Sequence, residues 1–236
     1  MAQNKFQAAN DMGWHNQRFD ETRERLLKGG TYKDLSTVWV VPTRDNNLNV
    51  KVASAFIGLQ RPMNQPCVGP VFIANREIGD AYNEAIEMIL ADANLSKFKY
   101  LLTIESDNLP PSDGLIKLYE GIQKYDGVGG LYYTKGEGGQ PMIYGDPNVM
   151  PRNFVPQVPL PDTIQHCNGL GMGFNLFRLE MFKKMPKPWF RTVQEKGAAF
   201  SQDLWFYNNA GGQGYKFACD TRVKVGHYDA VNNMVW

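Results

Sequence analysis

Cysteine is scarce in this chain of 236 residues, and its few copies lie far apart. Cys67, Cys167 and Cys219 are odd in number and form no C-x-x-C pair. A disulfide framework needs paired cysteines in a short secreted chain, and a zinc knuckle needs closely spaced ones. The cysteine pattern therefore argues against both, and we predict a protein of a reducing compartment.

Long apolar runs and an excess of charge of one sign are missing as well. No stretch reaches the roughly 18 apolar residues of a membrane span, and Met1–Lys5 lacks the apolar segment of a signal peptide. The net charge is +1, from 25 Lys and Arg against 24 Asp and Glu, so no overall positive field attracts nucleic acid. We expect a soluble, cytoplasmic protein without a membrane span, and so compact a chain suits a bacterial or phage source.

The first half of the chain alternates short apolar runs with helical patterns. The apolar runs are rich in β-branched and aromatic residues, as in strands that are buried on both faces. The predicted elements are strands 38–41, 68–73, 98–104 and 127–133 and helices 80–93 and 112–125. Alternating strands and helices favour an α/β domain with a mainly parallel sheet and helices on its faces.

Composition also indicates where the chain divides. Asn16–Lys28 is charged and stops at Gly29–Gly30, which is typical of a solvated helix with a glycine stop. We therefore predict an N-terminal helical extension, residues 1–36, and a single domain, residues 37–236. Glycine and proline become frequent after Thr134, which separates residues 37–133 from 134–236.

The second of these halves carries fewer regular patterns. Val149–Pro161 contains four prolines and is predicted to be loop. A helix is expected at Gln202–Asn209, where Gly211-Gly212 ends it. The last strand is expected near Lys216–Cys219 or Val223–Val225.

An acidic cluster, Glu105-Ser106-Asp107, comes directly after the third predicted strand. Ligands of open parallel sheets bind at the carboxyl ends of the strands, so this position is that of a candidate site. Two carboxylates separated by one residue can hold Mg²⁺ or Mn²⁺, whose coordination is commonly completed by water and phosphate oxygens. The alternative from spacing alone is an acidic turn that caps a helix beginning at Ser112.

Five motifs follow one another along the chain: Glu105-Ser106-Asp107, Pro110-Pro111, Gly169-Leu170-Gly171-Met172-Gly173, Ser201-Gln202-Asp203 and Gly226-His227. Their order and spacing resemble those of family-2-like glycosyltransferases of the GT-A fold, over roughly Val38–Asp229. The resemblance implies a GT-A domain, a Rossmann-like sheet flanked by helices with a small acceptor-side subregion. Residues 37–133 would form its nucleotide-binding half and residues 134–236 its acceptor-side half.

The resemblance further implies a nucleotide diphosphate sugar as donor and Mn²⁺ or Mg²⁺ as cofactor. It assigns the metal to Asp107, His227 and Glu105, although Glu105 stands where the family has aspartate and can contact the ribose instead. The implied donor contacts are Pro42, Thr43, Arg76, Asp80, Glu105, Ser106, Asp107 and Gly171. Asp203 is implied as the general base that takes the proton of the acceptor hydroxyl.

Several of these residues have a structural alternative. Arg76 can be an ordinary surface residue, and the glycines around Gly171 can serve packing. Asp203 can simply begin a helix, and His227 can be structural. Trp189, which follows Pro186 and Pro188, is predicted to lie in a loop near the acceptor.

The function expected from this reading is transfer of a sugar, from a UDP-sugar by preference, to an acceptor hydroxyl. The acceptor stays open among a glycan, a lipid-linked sugar, a protein and a modified nucleic-acid base, and so does an inverting or retaining outcome. Two other functions are compatible with the same site. One is nucleotidyl transfer to a sugar phosphate, and the other is a noncatalytic binding module with a GT-A shell.

Overall fold

The computed structural model describes residues 34–44, 46–63, 65–195 and 198–236. The N-terminal helical extension predicted for residues 1–36 lies almost wholly outside these residues. Among the described helices, none has both the length and the apolar character needed to cross a membrane.

The described residues form strands of two to eight residues. In chain order they are β1 (Thr37–Thr43), β2 (Cys67–Ala74), β3 (Tyr100–Ile104), β4 (Asn108–Leu109), β5 (Gly127–Leu131), β6 (Ile143–Tyr144), β7 (Ile164–Cys167), β8 (Gly169–Leu170), β9 (Phe174–Arg178), β10 (Val193–Glu195), β11 (Ala198–Phe200), β12 (Phe217–Lys224), β13 (Gly226–Asp229) and β14 (Met234–Val235).

Seven of these strands form the central sheet, in the order β2-β1-β3-β9-β5-β12-β7. Five of them run in one direction, and only β9 and β7 run against it. The mainly parallel α/β sheet predicted from the sequence is therefore confirmed. Its middle is apolar because β3, β5 and most of β9 are buried along their length.

Helices cover both faces of this sheet. They are α1 (Val50–Ile57), α2 (Ile78–Ala91), α3 (Gly114–Gly121), α4 (Leu179–Lys184) and α5 (Gln202–Gly212). Successive side chains of a strand point to opposite faces, so Val38 and Val40 pack in the core under α2, α4 and α5. Trp39 and Val41 pack in the other core, with α1 and α3.

The structure refines several predicted boundaries. The helix predicted at 112–125 spans only Gly114–Gly121, and the two alternatives for the last strand are parts of one strand, β12. The antiparallel insertion of β9 between β3 and β5 was not predicted, because a short buried run carries no sign of its direction.

A small antiparallel sheet outside the central one brings distant parts of the chain together. Its strands stand in the order β14-β13-β4, and His227 of β13 is paired with Asn108 of β4. The N–H of Tyr228 also donates to the carbonyl oxygen of Asp107 at 2.7 Å. The end of the described chain is thereby fixed beside the acidic cluster.

An aromatic cluster holds α5 against the sheet. Phe206 of α5 is fully buried, and its ring centroid lies 4.6 Å from that of Phe190 and 5.7 Å from that of Phe182, both stacked. Trp189 is 1% exposed and packs on Phe182. The prediction of Trp189 as an accessible aromatic residue near the acceptor is therefore wrong, because its ring fills the core.

We expect Phe206→Ala to lower the free energy of unfolding by about 3–5 kcal/mol, since it removes a ring from a filled core. Phe72→Ala is the matched control, because Phe72 lies on the edge strand β2 and is 47% exposed. Its loss is expected to be about 1 kcal/mol. Equilibrium denaturation of the two variants checks the difference, and equal losses would contradict the assignment of Phe206 to the core.

Candidate active site

A cavity of about 540 Å³ opens at the carboxyl ends of the parallel strands. Residues that follow β1, β3 and β5 line it, together with the start of α2 and the segment after β13. The lining residues are Pro42, Thr43, Arg44, Asn47, Leu48, Asn49, Ile78, Glu105, Ser106, Asp107, Lys135, Tyr228 and Ala230. Pro42, Thr43, Glu105, Ser106 and Asp107, which were predicted from the sequence, thus share one cavity.

Asp107, which lines the cavity, faces His227, which is not among the lining residues. The Oδ2 atom of Asp107 lies 3.4 Å from Nε2 of His227. Nδ1 of His227 is 2.8 Å from the carbonyl oxygen of Tyr133, which can only accept, so Nδ1 carries a proton. Nε2 is therefore the ring nitrogen that faces Asp107: it donates to the carboxylate when it carries a proton, and without that proton it offers a lone pair to a cation, as metal-binding histidines do.

This pair suits a divalent cation bound partly by other groups. No cluster of three or more His, Cys, Asp or Glu side chains able to hold a metal occurs within residues 34–44, 46–63, 65–195 and 198–236. Asp107 and His227 thus come together without a third side chain such as Glu105. Two protein ligands are sufficient where phosphate oxygens and water complete the coordination, as is usual for Mg²⁺.

A lysine already contacts the Asp107 carboxylate. The ammonium group of Lys135 lies 2.6 Å from Oδ2 of Asp107. Burial raises the pKa of Asp107, but the neighbouring His227 and Lys135 outweigh it and leave the pKa below its usual value. Asp107 is therefore ionised at neutral pH and available to a cation.

Glu105 behaves in the opposite way, although it is only two residues from Asp107. Burial raises its pKa to about 8, and the negative charges of Asp107 and Asp203 add to the effect. Glu105 consequently holds a proton at neutral pH when no cation is bound. A protonated carboxyl is a poor metal ligand, but it can donate a hydrogen bond to a donor oxygen.

Asp203 lies in the first turn of α5 and is 7% exposed. Its Oδ1 accepts hydrogen bonds from the hydroxyl of Ser201 and from the N–H of Leu204, the latter at 2.8 Å. Burial raises its pKa above the usual value despite these hydrogen bonds. Asp203 is not among the residues that line the cavity, but its charge raises the pKa of Glu105. A fixed carboxylate with a raised pKa has the properties of a general base.

Buried tyrosines surround the two protonatable carboxylates. Burial raises the pKa of Tyr82 and of Tyr207 well above the usual value, and the charge of Asp203 contributes in both cases. Their buried hydroxyls have no hydrogen-bond partner in the part of the chain that the structure describes. Both side chains are fully buried, so these unpaired hydroxyls lie inside the core and not on the cavity surface. The predicted helices include both residues, but helical spacing does not tell what their hydroxyls face.

Other predicted site residues lie away from this cavity's lining. Arg76 is exposed and forms a 3.0 Å ion pair with Glu84. Asp80 is exposed in the first turn of α2, where its N–H donates to Glu77. Both remain predictions of donor contact that the cavity does not include.

Gly171 is buried and lies against other side chains. A Cβ atom at this position would come within 2.1 Å of the Tyr132 hydroxyl and 2.8 Å of the methyl carbon of Met142. The packing alternative therefore accounts for glycine at position 171. A role under the transferred sugar remains a prediction.

Arg44 and Lys135 are the two basic residues of the cavity, and neither was predicted as a site residue. The charges of both lower the pKa of Glu105, which places them near the acidic cluster. Their positions in the sequence could have suggested a site, because Arg44 comes after β1 and Lys135 lies in the loop after β5, and the apolar pattern identifies both strands. Tyr228 also lines the cavity, but its position depends on the pairing of β13 and could not be predicted.

Because the pKa of Glu105 is raised from 4.5 to about 8, folding keeps a proton that the unfolded chain releases. The metal-free protein should therefore lose stability as pH rises from about 5 to 8, by up to about 1.4 kcal/mol per pH unit. Glu105→Gln should flatten this dependence, whereas Glu137→Gln, at an exposed position, should not. Equilibrium denaturation in the presence of a chelator, across this pH range, tests the prediction. If the free energy of unfolding of Glu105→Gln fell with pH as steeply as that of the wild type, the prediction would be contradicted.

No protein-family model and no curated protein gives a significant match to this sequence. Among solved structures, the chain is similar to A197 from STIV, with a TM-score of 0.60 and 16% identity over 85% of this chain and 92% of that one. It is also similar to GalNAc-T7, crystallised with UDP, GalNAc and Mn²⁺, with a TM-score of 0.55 and 12% identity.

That alignment covers 83% of this chain but only 44% of GalNAc-T7, so the chain spans less than half the length of that neighbour. A likeness with identity this low shows the fold alone. The chain therefore has the GT-A fold, on which nucleotide-sugar glycosyltransferases are built.

Proposed function

We propose that the protein is a glycosyltransferase that moves a sugar from a nucleotide diphosphate sugar, a UDP-sugar by preference, to an acceptor hydroxyl. The observation that carries the proposal is the Asp107–His227 pair at 3.4 Å, whose Asp107 lines a cavity at the carboxyl ends of the strands. A cavity of about 540 Å³ is within the range of small-molecule sites. GalNAc-T7, which has the same fold, was crystallised with UDP and Mn²⁺, and this supports the proposed class.

Asp107 and His227 are the residues that would hold Mn²⁺ or Mg²⁺ as the cofactor. A bound divalent cation supplies Lewis acidity, which stabilises negative charge on the leaving diphosphate. The chain's own part is to keep Asp107 ionised and to hold the imidazole through the Tyr133 carbonyl. Both are arranged before any ligand arrives.

The nucleotide end of the donor is proposed to lie against the cavity wall formed by the end of β1, the start of α1 and strand β13. Pro42, Thr43 and Asn49 line one side, and Tyr228 lines the other. The hydroxyl of Tyr228 is held by the side chain of Asn49 at 2.8 Å, so the two sides are tied together. Arg44 supplies a positive charge for the phosphates.

Asp203 is proposed as the general base. The acceptor oxygen attacks the anomeric carbon while its proton passes to the Asp203 carboxylate, and the bond to the diphosphate breaks. A raised pKa makes Asp203 a better proton acceptor than an exposed aspartate. Its hydrogen bonds from Ser201 and Leu204 fix the carboxylate, so that it need not reorganise during the step.

Asp107→Ala should abolish Mn²⁺-dependent stabilisation by UDP, because it removes the ionised ligand of the pair. For the wild type, UDP at about a hundred times its Kd should add about 2.7 kcal/mol to the free energy of unfolding. Thermal unfolding with UDP, with and without Mn²⁺, measures the effect, and Glu137→Ala on an exposed loop is the control. Stabilisation of Asp107→Ala equal to that of the wild type would refute the metal site.

Asp203→Asn should leave donor binding intact and lower turnover by about 10²–10⁴-fold. Because the acceptor is not identified, release of UDP from a UDP-sugar by transfer to water is the appropriate readout. Asp162→Asn is the matched control, since Asp162 is exposed and has a φ of 51°, which asparagine tolerates. Unchanged turnover in Asp203→Asn would remove Asp203 from the mechanism.

A further inference from the structure

Lys135 occupies the position where the proposed metal would contact Asp107. Its Nζ atom lies 2.6 Å from Oδ2 of Asp107, and the same oxygen faces Nε2 of His227. An ammonium group and a divalent cation cannot both sit at one carboxylate oxygen without strong repulsion. Metal binding at this pair therefore requires Lys135 to move.

The loop that carries Lys135 is built for such a movement. Its base is fixed, because the N–H of Thr134 donates to the carbonyl oxygen of Gln140 at 2.9 Å. Its tip contains Gly136 and Gly138, with φ of 103° and 70°, and a Cβ built at either would have no atom within 4 Å. At both glycines the side of the backbone where a side chain would stand is therefore free of neighbours, which leaves the loop room to move there.

The fixed base of the same loop also holds His227, one of the two proposed metal ligands. The carbonyl oxygen of Tyr133, two residues before Lys135, accepts the hydrogen bond from Nδ1 of His227. Movement of the tip would therefore leave His227 in place. Lys135 would remain at the cavity, where its side chain is 35% exposed and already forms part of the wall.

We propose that Lys135 competes with the divalent cation for Asp107 and, once displaced, binds the diphosphate of the donor. This inference rests on the proposed function, because it takes a nucleotide diphosphate as the ligand. In the metal-free protein the lysine neutralises Asp107. When the cation takes over that task, the released ammonium group pairs with a phosphate oxygen, so metal and donor bind cooperatively.

The test measures the Kd of Mn²⁺ alone and the Kd of UDP at saturating Mn²⁺, both by calorimetry. In Lys135→Ala, Mn²⁺ alone should bind about two- to fivefold more tightly, since its competitor is gone. UDP with Mn²⁺ should bind about tenfold more weakly, since a charged contact to the phosphates is lost. Lys135→Arg should regain most of the UDP affinity.

Lys124→Ala is the matched control, because Lys124 is exposed and precedes β5, at the opposite end of the sheet. Its affinities for Mn²⁺ and UDP should equal those of the wild type. Thermal unfolding without ligands checks that Lys135→Ala is folded, as expected for a change on an unpacked loop.

Each arm can overturn the proposal separately. An Mn²⁺ affinity in Lys135→Ala that equals or falls below that of the wild type would overturn the competition for Asp107. An unchanged UDP affinity would overturn the phosphate contact. If Mn²⁺ binds but UDP binds to neither the wild type nor Lys135→Ala, the assignment of a nucleotide donor fails, and the phosphate contact fails with it. The Mn²⁺ affinities of the two proteins would still decide whether Lys135 competes for Asp107.

Discussion

The pairing of β13 with β4 is the interaction on which the candidate site depends. Two residues, His227 and Asn108, are paired across this short sheet, and the Tyr228 N–H holds the Asp107 carbonyl oxygen. A carboxylate and an imidazole that are far apart in the sequence are thereby placed 3.4 Å from each other. The same pairing brings Tyr228 to the cavity wall. Without it the acidic cluster would be a turn after a strand.

Electrostatics then divides the acidic residues of the site into two kinds. Asp107 is kept ionised by His227 and Lys135, whereas Glu105 and Asp203 are pushed towards their protonated forms by burial. A metal ligand and a general base both act as ionised carboxylates, but the base must also accept a proton, which a raised pKa favours. The fold adapts the same chemical group to each task by controlling how much it is buried and which charges stand beside it.

Much of the fold was predictable from the sequence, because buried strands and helix periods are local patterns. The strand before Glu105 and the helix that begins near Asp203 were both identified in this way. The carboxyl-end rule then placed Glu105, Ser106 and Asp107 at a candidate site, and this inference needs only the direction of the strands, which alternation with helices provides. Pro42 and Thr43 were implied by the family resemblance, and the cavity contains all five residues.

What could not be predicted depends on contacts between distant segments. The ion pair of Lys135 with Asp107 and the burial of Trp189 follow from loop paths that no local pattern encodes. The tyrosine hydroxyls near Asp203 belong to the same class, because helical spacing says that Tyr82 and Tyr207 are buried but not what their hydroxyls face. The ion pair of Arg76 with Glu84 belongs to this class as well, and donor contact by Arg76 stays a prediction.

The position of β9 has a consequence for how this chain reaches its native state. It stands between β3 and β5, so the strands that precede residue 132 cannot form a continuous sheet until residues 174–178 have been added. A chain emerging from the ribosome would expose the edges of β3 and β5 during that interval. The two halves that composition separates are therefore interleaved in space, and folding must close long loops before the sheet is complete, which favours slow folding.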